Sequence, residues 1–162
     1  MYIGKHYSGV NDRAKFRKRM LALRKALPAL REQYGISVWF VSGKSGIVAQ
    51  AALAVLGSDE PVCSIRKPGE KSHGDTFEGN CDGFAAGSKG WKYGIIDDFV
   101  ASGSTVDRMM GQIEAAWEKG QWEVVGERDK PALAAIVRYQ DAGGVRTSAV
   151  TVAAGTFPYI SV

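Results

Sequence analysis

The stretch Tyr93–Met110, YGIIDDFVASGSTVDRMM, begins as an apolar strand, passes two adjacent carboxylates and a run of small hydroxylated residues, and continues as a helix. A second stretch, Ile36–Gly57, has the same build: the β-branched and aromatic run ISVWFVS, the glycine loop Ser42-Gly43-Lys44-Ser45-Gly46, and the Ala-rich helix IVAQAALAVLG stopped by Gly57. Strands that alternate with helices imply a mainly parallel sheet covered on both faces, with ligands at the carboxyl ends of the strands. A length of 162 residues with 45% hydrophobic content fits one α/β domain and leaves no room for a second.

The remaining elements follow from periodicity. Phe16, Met20, Leu23, Leu27 and Leu30 form one apolar stripe of a helix from Asp12 to about Glu32, capped by Asp12 or Asn11, with Pro28 expected to kink or end it early. Its other face carries Arg13, Lys15, Arg17, Lys18, Arg24, Lys25 and Arg31. No aromatic residues interleave with these charges, so they read as a solvated face and nucleic acid is not the expected partner. PVCSIR (from Pro61) and Lys92–Ile96 read as strands, and Phe77–Gly90 as a hairpin or irregular excursion. Ser104 to Lys119 reads as a helix with Val106, Met109, Met110, Ile113 and Trp117 on one side. WEVVG, LAAIVRYQ and RTSAVTVAAGTFPYISV then supply further β-structure. The division expected is a basic amphipathic helix at 1–34, a core at 36–140, and C-terminal strands or a small hood at 141–162.

The formal charge of +4 is a mild excess that favours phosphorylated ligands or nucleic acid without specifying either. Cys63 and Cys81 lack zinc spacing, His6 and His73 stand alone, and both cysteines read as free thiols. No segment approaches the roughly 20 apolar residues of a membrane helix, and the expected location is the cytoplasm, away from membranes.

Ala101-Ser102-Gly103-Ser104-Thr105 offers amides and hydroxyls at a helix N-terminus, where the macrodipole favours a phosphate dianion, and Gly103 lets the backbone approach it. Asp97 and Asp98, just upstream, can accept hydrogen bonds from a vicinal diol. Phosphate and diol together point to a ribose 5-phosphate. GIIDDFVASGST resembles the motif with which type I phosphoribosyltransferases bind 5-phosphoribosyl 1-pyrophosphate (PRPP): hydrophobic residues, two acids, a short small or apolar stretch, then a hydroxyl-glycine phosphate loop. SIRKPGEKSHGD is similar to the flexible catalytic loop of the adenine-type members, and FVSGKSGIVAQAAL stands where that family has its pyrophosphate loop. The resemblance spans residues 36–140 in organisation, with motif identity confined to the PRPP loop.

The resemblance implies the type I phosphoribosyltransferase fold, a Mg2+-dependent displacement of pyrophosphate from C1 of PRPP by a nitrogen of a nucleobase, and a homodimer. In that scheme Asp97 and Asp98 hold the ribose hydroxyls and, through PRPP, the metal; Ala101, Ser102, Gly103, Ser104 and Thr105 hold the 5-phosphate. Ser42, Gly43, Lys44 and Ser45 face pyrophosphate, while Arg66, Lys67, Lys71 and His73 close over it. Ala101 stands where some other members carry an acidic base, so the base comes from elsewhere, with Glu78 a candidate, or from the substrate. Phe99, Phe157 and Tyr159 are the candidates to stack on the base. The RKPG loop favours a purine. Two other readings differ in class. A P-loop hydrolase built on SGKSG requires a glycine where this chain has Val38, and leaves ASGST without a purpose. A non-enzymatic sensor of PRPP or a nucleotide is compatible with the same loop, although it has no need of a cationic lid.

Overall fold

The computed structural model describes residues 12–69, 76–79, 91–98, 100, 102–120, 130–139 and 144–162. Its elements are α1 (Arg13–Tyr34), β1 (Val38–Ser42), α2 (Gly43–Val55), β2 (Val62–Ile65), β3 (Phe77–Gly79), β4 (Lys92–Asp97), α3 (Ser104–Glu118), β5 (Ala132–Arg138), β6 (Arg146–Val152) and β7 (Gly155–Ser161). They form an α/β domain around one 7-stranded sheet in the order β3-β2-β1-β4-β5-β7-β6. The strands β2, β1, β4, β5 and β7 run parallel, and β3 and β6 flank them as antiparallel edges. WEVVG, expected as a strand, lies outside the described residues.

The central strands are buried on both faces, as their unbroken apolar runs require. Successive residues face opposite layers. Trp39 and Val41 join α1 and α2 in one cluster, through Met20, Leu23, Leu27, Ala49 and Leu53. Val38 and Phe40 join α3 in the other, through Val106, Met109 and Ile113. An irregularity in register, where Tyr93 pairs with Leu133 but Gly94 with Ala135, inserts Ala134 and flips the phase of β5. Gly94 is needed for packing: a Cβ there would stand 2.2 Å from Cζ3 of the Trp39 indole, which lies flush on the strand.

The stripe on α1 is buried as expected, and the Asp12 carboxylate accepts from the Lys15 amide at 3.1 Å, which lowers its pKa below the usual carboxylate value. Pro28 does not end the helix. Leu27 and Leu30 are buried on either side of it, and the chain continues to Tyr34, closing on Gly35 in the left-handed region with φ 66. Packing of that stripe overrides the lost hydrogen bond. Because Pro28 itself is exposed, Pro28→Ala is expected to stabilise the protein by about 2 kcal/mol. A higher urea midpoint at unchanged slope would register it.

One expectation is overturned. Cys63 is disulfide-bonded rather than a free thiol. Its register explains how: Cys63 lies opposite Gly79 in the β2–β3 pair, two residues in sequence from the chain's other cysteine, Cys81, which is outside the described residues. A reducing cytoplasm does not maintain such bonds, so this one weighs against the cytoplasmic expectation. Among the described residues, no helix is long and apolar enough to cross a membrane.

Candidate functional site

The adjacent parallel strands β1 and β4 send their connections in opposite directions along the sheet, β1 through α2 to β2 and β4 through α3 to β5. The point where the two connections diverge opens a crevice at the carboxyl ends, the place where open α/β sheets bind ligands. Ser42 ends one of these strands and Asp97 the other. The two sequence motifs thus border a single crevice.

On the β4 side, a cavity of about 160 Å³ is lined by Asp97, Val100, Ser102, Gly103, Ser104, Thr105 and Val106. That is below the roughly 300–1,000 Å³ of a site for a whole drug-sized ligand, and suits one end of an extended one. Gly103 has φ 78 and occupies the N-cap of α3 without a capping side chain. Ser102 partly fills that role, its Oγ accepting from the Ser104 amide at 3.4 Å and lying 3.0 Å from the Ser104 Oγ. The Asp97 carboxylate accepts from the Asp98 amide at 2.9 Å, which fixes the turn out of β4 while leaving Asp97 and Asp98 half-exposed.

The C-terminal hairpin packs against Gly103 behind this cavity, a contact that sequence reading did not provide. A Cβ on Gly103 would meet Cγ1 of Val152 at 2.6 Å. Asp107, in the first turn of α3, accepts from the amides of Ala153 and Ala154, each at 3.3 Å. The hairpin turn between β6 and β7 is thereby pinned onto α3.

On the β1 side, the expected glycine loop is compressed: α2 begins at Gly43, whose φ of 70 lets the chain turn directly from strand to helix. Ser42 is its N-cap residue but makes no side-chain cap hydrogen bond, so its hydroxyl leaves the first-turn amides of α2 alone. Lys67 reaches over this end, with its Cε 3.6 Å from where a Gly43 Cβ would be. Lys44 is exposed beside it, and Ser45 offers its carbonyl to the Tyr139 hydroxyl at 3.2 Å. Tyr139, at the end of β5, bridges the two sides. Burial pushes its pKa up first, and the nearby carboxylates of Asp98 and Asp97 push it further. A tyrosine one residue past a strand carries no signal that would mark this role in the sequence.

Other expected residues are brought near but already engaged. The Arg66 guanidinium pairs with the Glu78 carboxylate across the β2–β3 edge, so in this state the candidate base is held by the candidate cation. Phe157 and Tyr159 are half-buried against the α3-side cluster, and Tyr159 lies close to Arg138 and Val100. Burial raises the Tyr159 pKa, and the Arg138 charge and hydrogen bond work against that rise. Lys71, His73, Phe99 and Ala101 lie outside the described residues. Among the described residues, no group of three or more His, Cys, Asp or Glu side chains is placed to hold a metal ion.

Comparison of the chain with models of known protein families gives no match, and comparison with curated proteins gives none either. The functional reading therefore stands on the site and on the motif.

Proposed function

We propose that the chain is a phosphoribosyltransferase of the type I fold that moves ribose 5-phosphate from PRPP to a nitrogen of a nucleobase and releases pyrophosphate. The observation that carries this reading is the convergence, at one sheet crevice, of an acidic strand end, a small-residue cavity at the N-terminus of α3, and a second helix start at Gly43 overhung by Lys67. In an extended ligand, the 5-phosphate would sit in the cavity, the diol against Asp97 and Asp98, and the diphosphate at the start of α2. Positive charge developing on the ribose ring would face the carboxylates, and the departing diphosphate would face Lys44 and Lys67.

The residues suit Mg2+ of the kind that is bound mainly by substrate. That ion keeps several waters and takes one or two carboxylates plus substrate phosphates, so Asp97 and Asp98 would suffice without a protein cage. When bound it would neutralise charge on the diphosphate. A purine is the acceptor we favour, from the RKPG sequence of the loop after β2.

The same crevice would serve a PRPP or nucleotide sensor, and the exposed basic residues of α1 give that reading a surface for nucleic acid. The two part in one assay: pyrophosphate release from PRPP with Mg2+ across purines, pyrimidines and other heterocyclic bases. Turnover with any base is the expected result. Salt-sensitive nucleic-acid binding with no turnover would favour the sensor.

A further inference from the structure

Arg108, on the second turn of α3, reaches across the α3-side layer to the end of β1, where its guanidinium donates to Ser42 Oγ at 2.7 Å. The Ser42 hydroxyl in turn donates to the Ile65 carbonyl at 2.9 Å. The other arm of the guanidinium donates to Gln112 Oε1 at 2.6 Å, and Gln112 Nε2 donates to the Arg66 carbonyl at 2.8 Å. This chain of hydrogen bonds connects three segments: the start of α2, the root of the loop after β2, and the helix that carries the phosphate loop.

What the network does to Ser42 is unusual for its position. A serine at an N-cap with extended backbone, here φ -146 and ψ 155, ordinarily turns its oxygen onto the amides of the helix's first turn. Ser42 makes no such bond; its hydroxyl donates to Ile65 and accepts from Arg108, and these two partners fix the direction in which its oxygen points. We infer that Arg108 is a positioning residue that holds the Ser42 hydroxyl away from α2, keeping the first-turn amides of α2 open for the diphosphate of PRPP. The inference rests on the phosphoribosyltransferase reading and adds to it a residue outside the recognised motifs. Removing Arg108 frees Ser42 to cap its own helix, and the diphosphate must then compete with an internal oxygen for the same amides.

Titration calorimetry on the full chain tests this with inorganic pyrophosphate and, separately, ribose 5-phosphate, both with Mg2+. Arg108→Met is expected to weaken pyrophosphate binding roughly fivefold, the size of a helix cap, and to leave ribose 5-phosphate within about twofold. Adding Ser42→Ala to Arg108→Met removes the competing oxygen and is expected to recover most of the loss. A double variant as weak as the single one would mean that Arg108 acts by charge alone, and would overturn the inference. So would unchanged pyrophosphate binding in Arg108→Met, or parallel loss of ribose 5-phosphate. Gln112→Met unseats the guanidinium while keeping its charge, and supplies the same comparison if Arg108→Met fails to fold. It should lose about two- to threefold, again recovered by Ser42→Ala. Wild-type protein that binds ribose 5-phosphate but not pyrophosphate defeats the inference alone, whereas wild type that binds neither defeats the phosphoribosyltransferase reading as well.

Discussion

Replacing Asp97 and Asp98 together with asparagine is expected to cut PRPP turnover by about 10³-fold, the loss typical when a group facing transition-state charge is removed. The two positions are half-exposed at the end of β4, so neither carboxylate holds up the core. Asparagine keeps an acceptor oxygen at position 97 for the Asp98 amide that Asp97 now engages at 2.9 Å, and the turn out of the strand should survive. What disappears is negative charge beside a ring that would become cationic. The informative outcome is therefore a split: activity lost and the thermal midpoint nearly unmoved. Full activity in the double variant would remove the acidic pair from the proposed reaction.

Gly94→Ala is expected to have the largest effect on stability. Its backbone has an ordinary φ, so conformational strain is not the issue; the new methyl would lie 2.2 Å and 2.4 Å from two atoms of the Trp39 ring. Trp39 is fully buried, and its indole nitrogen donates to Glu60 Oε2 at 2.9 Å, so the ring has no free path of retreat. Overpacking of this kind costs about 1–3 kcal/mol, and the anchored ring argues for the upper end. For a chain of this size that corresponds to a fall of about 6–12 °C in midpoint, measurable by calorimetry or circular dichroism. A shift within 2 °C would mean that the two strands separate more easily than their packing implies.

The parts of the fold that repeat a simple period were legible in the sequence. Met20, Leu23, Leu27 and Leu30 follow helical spacing and are buried, and the apolar runs at Val38–Ser42 and Lys92–Asp97 became adjacent central strands. Features set by tertiary neighbours were not. Pro28 is tolerated because leucines on either side are buried, and Cys63 is bonded because β3 folds back alongside β2. At the crevice, local motifs identified Asp97, Ser102 and Gly103, since a strand end and a helix start are written in consecutive residues. Arg108, Tyr139 and Val152 act from other elements through contacts distant in sequence, for which a single chain carries no spacing rule.

The hairpin pinned on α3 also bears on the order in which the crevice can form. Gly103 and Asp107 precede in the chain the side chain and amides that pack against them, Val152, Ala153 and Ala154, which belong to its last hairpin. Until β7 has docked beside β5, Gly103 and the first turn of α3 lack that packing. Long-range closure of that kind comes late in folding. A ligand that bound in the cavity at the start of α3 would favour the docked hairpin by mass action, and its binding would be coupled to attachment of the sheet's far edge.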